Sequence, residues 1–273
     1  MTAKYTRAFR GAVAGVLAAL ATEAGATIDA TFDCVIQPTE VVELSSSVPG
    51  IIGAVNVDRS DPVEKDQVVA QLQSAVEQAQ VDLSKQRAGF DGEIASKRAS
   101  LGFARRNQER TQKLFDKRAV PFGVLDEAKT DAILAATELR AAQQNKRMAE
   151  LELERAEATL ALRTVRSPIS GVVMERLKSP GEFVEDKPIL RIAQIDPLRV
   201  EVIVPVSEFG TITTGMRAEV TPELARKRTY IAEVTIVDKV VDAASGTFGV
   251  RLELPNPDNF VPGGLRCSLI FLE

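Results

Sequence analysis

Val48-Pro49-Gly50-Ile51-Ile52, with Val63-Glu64-Lys65 thirteen residues after Gly50, returns later as Ile169-Ser170-Gly171-Val172-Val173, with Val184-Glu185-Asp186 thirteen residues after Gly171. Each copy closes on a short apolar run, Val68-Val69-Ala70 and Ile189-Leu190-Arg191-Ile192. The match holds at an offset of 121 residues through Val184 and slips by one residue beyond it. Segments 41–72 and 163–195 therefore read as the two halves of one small β domain. Pro49-Gly50 and Ser60-Asp61-Pro62 punctuate the first half into short strands. A domain split by an insertion is a mechanical layout, a base with a long arm projecting from it.

The insertion, residues 73–162, reads as helix throughout. From Ser74 onward Gly and Pro thin out and helix formers take over. In the second arm Leu125, Ala128, Ala132, Ala135, Leu139, Ala142, Lys146, Ala149, Leu153, Ala156 and Leu160 follow steps of three and four, a sustained coiled-coil seam. Its alanines let two helices approach closely. The first arm is less regular, with a seam expected at Leu72, Val76, Ala79, Leu83, Phe90, Ile94, Leu101 and Ala104. The steps from Gln86 to Phe90 to Ile94 resemble a stutter, and Gly89, Gly92 and Gly102 weaken the arm. The arms meet at a tip near residues 115–122, where Pro121 suits a first helical turn. Lys113, Lys117 and Arg118 end arm one and Asp126 and Glu127 open arm two, in accord with the helix dipoles. Each arm of about 42 residues extends roughly 60 Å at 1.5 Å per residue. A compact bundle would also use such helices, but no further helices are evident to complete one.

Composition narrows the chemistry. The 273 residues hold 45% hydrophobic and 26% charged residues, ordinary for folded chains. Aromatic residues make up only 5%, with no Trp, which suits thin Ala/Leu/Val packing. No His is present, which removes the commonest general base and a favoured metal ligand. No catalytic, cofactor-binding or metal-binding residue stands out, and an enzyme is not expected.

Residues 1–26 read as an export signal: Lys4, Arg7 and Arg10, an apolar run from Gly11 to Ala21, then Ala24-Gly25-Ala26. The apolar run is too short to cross a bilayer core. Cleavage takes the net charge from −4 to −6, by loss of three basic residues and Glu23. A mildly acidic mature chain argues against a nucleic-acid partner. Cys34 and Cys267 admit one disulfide or two separate buried thiols, and their spacing fits no metal site.

Residues 31–43 read as one strand or two. From Pro197 the texture turns to β, with runs at 199–204, 230–237, 248–254 and 266–272 and a short helix expected to be capped by Ser207. Such strands with Gly and Pro turns suggest a small barrel.

Taken together, these residues resemble the periplasmic adaptor subunits, or membrane fusion proteins (HlyD-like), of bacterial efflux and secretion systems. The resemblance covers residues 30–273, and includes Gly246-Thr247-Phe248-Gly249-Val250-Arg251-Leu252, Asn256-Pro257 and Pro262-Gly263-Gly264. It implies an elongated α+β multidomain chain. After the signal, residues 27–40 add N-terminal strand to the barrel. Segments 41–72 and 163–195 form a split lipoyl-like β-sandwich, 73–162 an inserted coiled-coil hairpin, and 196–273 a small antiparallel β-barrel. In such adaptors the hairpin tip meets an outer-membrane channel. The recurrent tip pattern is an Arg, a Leu four residues on and a small polar residue seven further; Arg110 and Leu114 match, and Pro121 stands at the third position. Arg105, Arg106, Arg110, Lys113, Lys117 and Arg118 outweigh Glu109 and Asp116, so the tip is basic and suited to an acidic channel mouth. The lipoyl attachment lysine is missing, since the hairpin occupies its turn, so no cofactor is expected. The resemblance further implies that the strand around Cys34 runs beside the barrel's last strand, making Cys34 and Cys267 neighbours able to bond.

The function implied is that of a non-enzymatic periplasmic adaptor, peripheral to the inner membrane. It would link an inner-membrane transporter, RND-type favoured over ABC-type, to an outer-membrane channel, assembled as a hexameric ring. The family's membrane-proximal domain is expected to be missing or rudimentary, which leaves transporter contact to the barrel. Two alternatives stand beside this, an exported coiled-coil scaffold and a lipoyl- or biotinyl-type carrier module. The carrier lacks its lysine, and the scaffold gives no reason for both half-motifs and a barrel.

Overall fold

The computed structural model describes residues 30–226 and 228–272. The segment read as an export signal, residues 1–26, lies outside them. The described residues form two units, one of residues 36–199 and 255–264, the other of residues 30–35, 200–254 and 265–272.

In the first unit the repeat becomes a pseudo-twofold. Strands β2 (Gly50–Val55), β3 (Pro62–Val63) and β4 (Val68–Leu72) come from the first half. The second half supplies β5 (Thr164–Arg166), β6 (Gly171–Arg176), β7 (Phe183–Val184) and the start of β8 (Leu190–Pro205). Each half pairs with the other reciprocally: Gly50 lies opposite Val184, and Val63 opposite Gly171. The Ile52 amide donates to Glu182 O at 2.9 Å, and its counterpart Val173 donates to Asp61 O at 3.0 Å. Gly181 donates to Ile52 O and Ser60 to Val173 O, both at 2.8 Å. The turns match too, since buried Ser46 donates to Val48 O and buried Ser167 to Ile169 O, both at 2.6 Å. Beyond the motif the symmetry slips by one residue: Asn56 donates to Val69 O, whereas Leu177 donates to Ile189 O. Ile52, Val63, Val69, Leu72, Val173, Val184, Leu190 and Ile192 form one shared core, so neither half has a core of its own.

Between the halves run α1 (Ala75–Ala88), α2 (Gly92–Asp116) and α3 (Phe122–Ala161), with α1 and α2 both packed on α3. The first arm is therefore two helices, where the sequence suggested one arm with a stutter. Gly89 and Gly92, each about 1 kcal/mol poorer than Ala in a helix interior, bracket the break. The Phe90 ring folds over Gly92, where a Cβ would fall 2.7 Å from it. Asp91 is held across the break by Lys146.

The break also changes the helix phase. Val76, Ala79 and Leu83, expected in the seam, face solvent, Val76 being 79% exposed. Val81, Ser84 and Ala88 are buried instead, Val81 two residues past Ala79 and Ser84 one past Leu83. Phe90, also expected inside, is 69% exposed. Past the break Ile94, Leu101 and Ala104 face inward as their spacing implies. All eleven α3 positions are buried or half-buried, with Leu125, Ala128, Ala132, Ala142 and Ala156 sealed.

The second unit is a barrel with strand order β1 (Phe32–Leu44), β12 (Leu265–Leu272), β9 (Arg217–Pro222), β10 (Tyr230–Val237), β11 (Thr247–Leu254) and β8, and β1 also pairs with β8. Strand β9 has no apolar run in its sequence, because only Ala218, Val220 and Pro222 alternate inward along it. Residues 31–43 prove to be one strand. Strand β8 runs unbroken through Pro197, where the sequence suggested a boundary. Ser207 lies inside a single 3₁₀ turn, Val206–Glu208, and caps no helix. The core holds Phe32, Val202, Val204, Val220, Phe248, Leu252, Leu269 and Phe271, with Phe32 edge-on to Phe271 at 5.6 Å.

Candidate functional site

The hairpin tip is a helix stop of a defined kind. Helix α2 ends at Asp116, and Arg118 takes φ of 60°. The Arg118 amide donates to Phe115 O at 2.8 Å and the Ala119 amide to Leu114 O at 2.9 Å. These two bonds make a Schellman motif around a left-handed residue that is usually Gly. Phe115 and Phe122 pack edge to face at 6.2 Å across the turn, Phe115 half-buried and Phe122 exposed. Pro121 is the residue before α3, not within its first turn, and its carbonyl accepts from Val124 at 3.2 Å. Its fixed φ, here −75°, still suits an extended residue that launches a helix.

Arg110 and Leu114 lie one turn apart on α2, and both are exposed. Pro121 is exposed across the turn. The basic residues Arg105, Arg106, Arg110 and Lys113 of α2, and Lys117 and Arg118 just past it, are all exposed. Asp126 and Glu127 fall in the second turn of α3, not its first, where the dipole effect is already weak.

The hairpin root carries a lock that the sequence did not reveal. Arg163, just past α3, donates from Nη2 and Nε to Glu77 Oε1 of α1 at 2.7 and 3.1 Å. Its Nη1 donates to Pro49 O at 2.9 Å. One guanidinium thus fastens both arms to the turn before β2. This pairing turns Glu77 inward and explains the phase of α1. The Glu77 carboxyl is held below the usual range, first by its backbone hydrogen bond and then by Arg163, against the opposing effect of burial. Among the charges of the sandwich, Glu182 is lowered by Lys178 and by the Ser179 amide.

Cys34 and Cys267, both in the barrel, are joined, with Sγ–Sγ 2.10 Å and Cα–Cα 4.9 Å. The bond ties the start of β1 to β12, and both residues are buried. Asn256, singled out with Pro257 in the sequence, has a structural place. Its Nδ2 donates to Ile195 O and Val261 O at 2.9 and 3.0 Å, and its Oδ1 accepts from Val261 at 3.1 Å. No helix among the described residues is long and apolar enough to cross a membrane.

Two family descriptions match the chain: a CzcB-like barrel-sandwich hybrid domain over residues 40–194 and a CusB-like beta-barrel domain over residues 198–268. The chain is 25% identical over 249 residues to the multidrug resistance protein MdtE of Escherichia coli K12, covering 85% of this chain and 61% of MdtE. It is 25% identical over 243 residues to the multidrug efflux pump subunit AcrA of the same organism, covering 82% of this chain and 57% of AcrA. The chain thus spans about three-fifths of the length of these relatives. The crystal structure of MacA from Actinobacillus actinomycetemcomitans shares the fold, with TM-score 0.73, 21% identity and coverage of 89% of this chain and 78% of MacA. The membrane fusion protein Spr0693 of Streptococcus pneumoniae R6 also shares it, with TM-score 0.61, 12% identity and coverage of 89% and 99%.

Proposed function

This chain belongs to the membrane fusion protein family, with a CzcB-like barrel-sandwich hybrid domain, and from that premise we propose that it is a periplasmic adaptor of an efflux system. It links an inner-membrane transporter, of RND rather than ABC type, to an outer-membrane channel. It forms a hexameric ring through which small molecules pass, and it carries out no reaction of its own. The hairpin tip, with Arg110, Leu114 and Pro121, is the docking end for the channel. The relatives named for multidrug efflux and multidrug resistance support this reading.

The observation that carries it is the geometry of the hairpin. Its apolar seam is satisfied internally, while the stop at Arg118 is ordered by two backbone bonds and leaves Leu114 41% exposed beside Arg110. A basic end with an apolar centre is suited to meet a partner of acidic rim and apolar pocket.

The test is a gene deletion screened against a panel of toxic compounds. Deletion raises susceptibility, and the wild-type chain restores resistance. Arg110→Asp and Leu114→Asp fail to restore it at equal abundance. A crosslinker placed at Leu114→Cys captures an outer-membrane channel. Unchanged susceptibility on deletion, or full restoration by both tip variants with no channel captured, overturns the reading.

A further inference from the structure

Near its root the hairpin opens into a cleft of about 540 Å³ between α1 and α3, a volume within the range of small-molecule sites. Two small buried residues, Ser84 of α1 and Ala156 of α3, line it and leave space that a larger pair would fill. Val76 adds apolar surface toward the root, where Glu77 is already engaged by Arg163.

Three charges line this cleft without using one another. Arg87 of α1 and Glu152 and Arg155 of α3 are exposed along it, and none of the three enters an ion pair among the described residues. A fourth polar group is unused from the inside. Ser84 is 2% exposed, and its Oγ accepts from Gln80 Nε2 at 3.4 Å. Among the described residues its hydroxyl donates to no acceptor. A buried hydroxyl ordinarily spends its proton, so this one lacks an acceptor on the cleft side.

We propose that the cleft binds a small amphoteric molecule, with an oxyanion head of carboxylate or phosphate type and an amine about one helical turn away. Arg87 and Arg155 hold the oxyanion, whose planar or tetrahedral oxygens suit guanidinium donors, and Ser84 gives it the spare proton. Glu152 stands three residues from Arg155, about 5–6 Å between Cβ atoms, and takes the ammonium. A bare anion would meet the repulsion of Glu152, and a bare amine that of the two arginines. The carbon chain between the two groups lies over Ala156. Because the charges along the cleft stay in contact with water, affinity is on the order of millimolar. This site goes beyond the adaptor reading and does not depend on it. Its occupant touches both α1 and α3 beside the Arg163 anchorage, and so ties the two arms together.

The test titrates the purified, ¹⁵N-labelled chain with 4-aminobutyrate and with O-phosphoethanolamine, followed by amide chemical shifts. At least one probe moves the signals of Ser84, Arg87 and Arg155 saturably and leaves Arg110 at the tip unmoved, and the tighter of the two identifies the head group. Butyrate and butylamine, each lacking one charge, bind roughly threefold or more weakly than 4-aminobutyrate. Arg155→Gln weakens the better probe by roughly fivefold or more. Ser84→Ala also weakens it, although Ala is the better helix former, so loss of fold is not the cause. Glu152→Gln abolishes the preference for 4-aminobutyrate over butyrate. No saturable shift from either probe, butyrate binding as well as 4-aminobutyrate to the wild-type chain, or undiminished binding by both Ser84→Ala and Arg155→Gln overturns the proposal.

Discussion

The backbone of Gly171 runs so close to Ala193 that a Cβ at position 171 would lie 2.1 Å from the Ala193 carbonyl oxygen. Its pseudo-twofold partner Gly50 is less constrained, for a Cβ there meets Arg163 Nη1 at 2.7 Å and Leu72 Cδ1 at 3.2 Å, both ends of flexible side chains. The two halves share a motif but not its tolerance. Gly171→Ala should cost about 3 kcal/mol or more and Gly50→Ala about 1 kcal/mol, measured by urea unfolding. Equal costs would show that the contact at Ala193 relaxes freely.

The same symmetry exchanges Ser60, at φ 73°, with Gly181, at φ 88°. A serine pays for a left-handed backbone that glycine adopts without strain. Gly181→Ser should lose about 1 kcal/mol, and Ser60→Gly should gain about 0.5 kcal/mol. Thermal melts of the two variants check both signs.

Stability should depend on pH through the carboxyls held low. Glu77, Glu182 and Asp242 all titrate below their usual range, Asp242 chiefly through the Ala244 amide. A depressed folded value means the contribution is complete above the unfolded value and is lost as pH falls toward the folded one. The unfolding midpoint should therefore stay level from about pH 6 to 8 and decline below about pH 4.5. Glu77→Gln should make that decline shallower, by differential scanning fluorimetry across the range.

Asn256 should matter far more than an exposed asparagine. It is 4% exposed, and removing its amide leaves the Ile195 and Val261 carbonyls and the Val261 amide without that partner. Asn256→Ala should cost about 2–4 kcal/mol, with Asn256→Asp little better because the nitrogen that donates both bonds becomes an acceptor. Chemical denaturation measures it, and a loss below about 1 kcal/mol would mean that water replaces the amide.

The split domain was legible because its signal is a distance. Gly50 and Gly171 mark one spacing twice, and the structure pairs each with the valine of the opposite copy. Helix α3 was legible for a similar reason, since forty residues of steady periodicity average out local irregularity. Helix α1 was misread because Glu77, a polar residue, turns inward to meet Arg163, which lies 86 residues away along the chain. Periodicity counts apolar residues and so placed Val76, Ala79 and Leu83 inside. The left-handed residue at the tip was hidden because Arg118 occupies a place usually marked by Gly. Strand β9 was missed because its inward positions are small or polar-flanked.

The three residues from Gly89 to Asp91 act as a coupling between two lengths of helix. Below it, the phase of α1 is set by its anchorage at Arg163; above it, α2 follows the rhythm of α3. Turns gained or lost beyond such a coupling leave the anchorage untouched. Reach and mounting are thereby separate variables, and a chain built this way can evolve to span a different gap without rebuilding its foundation.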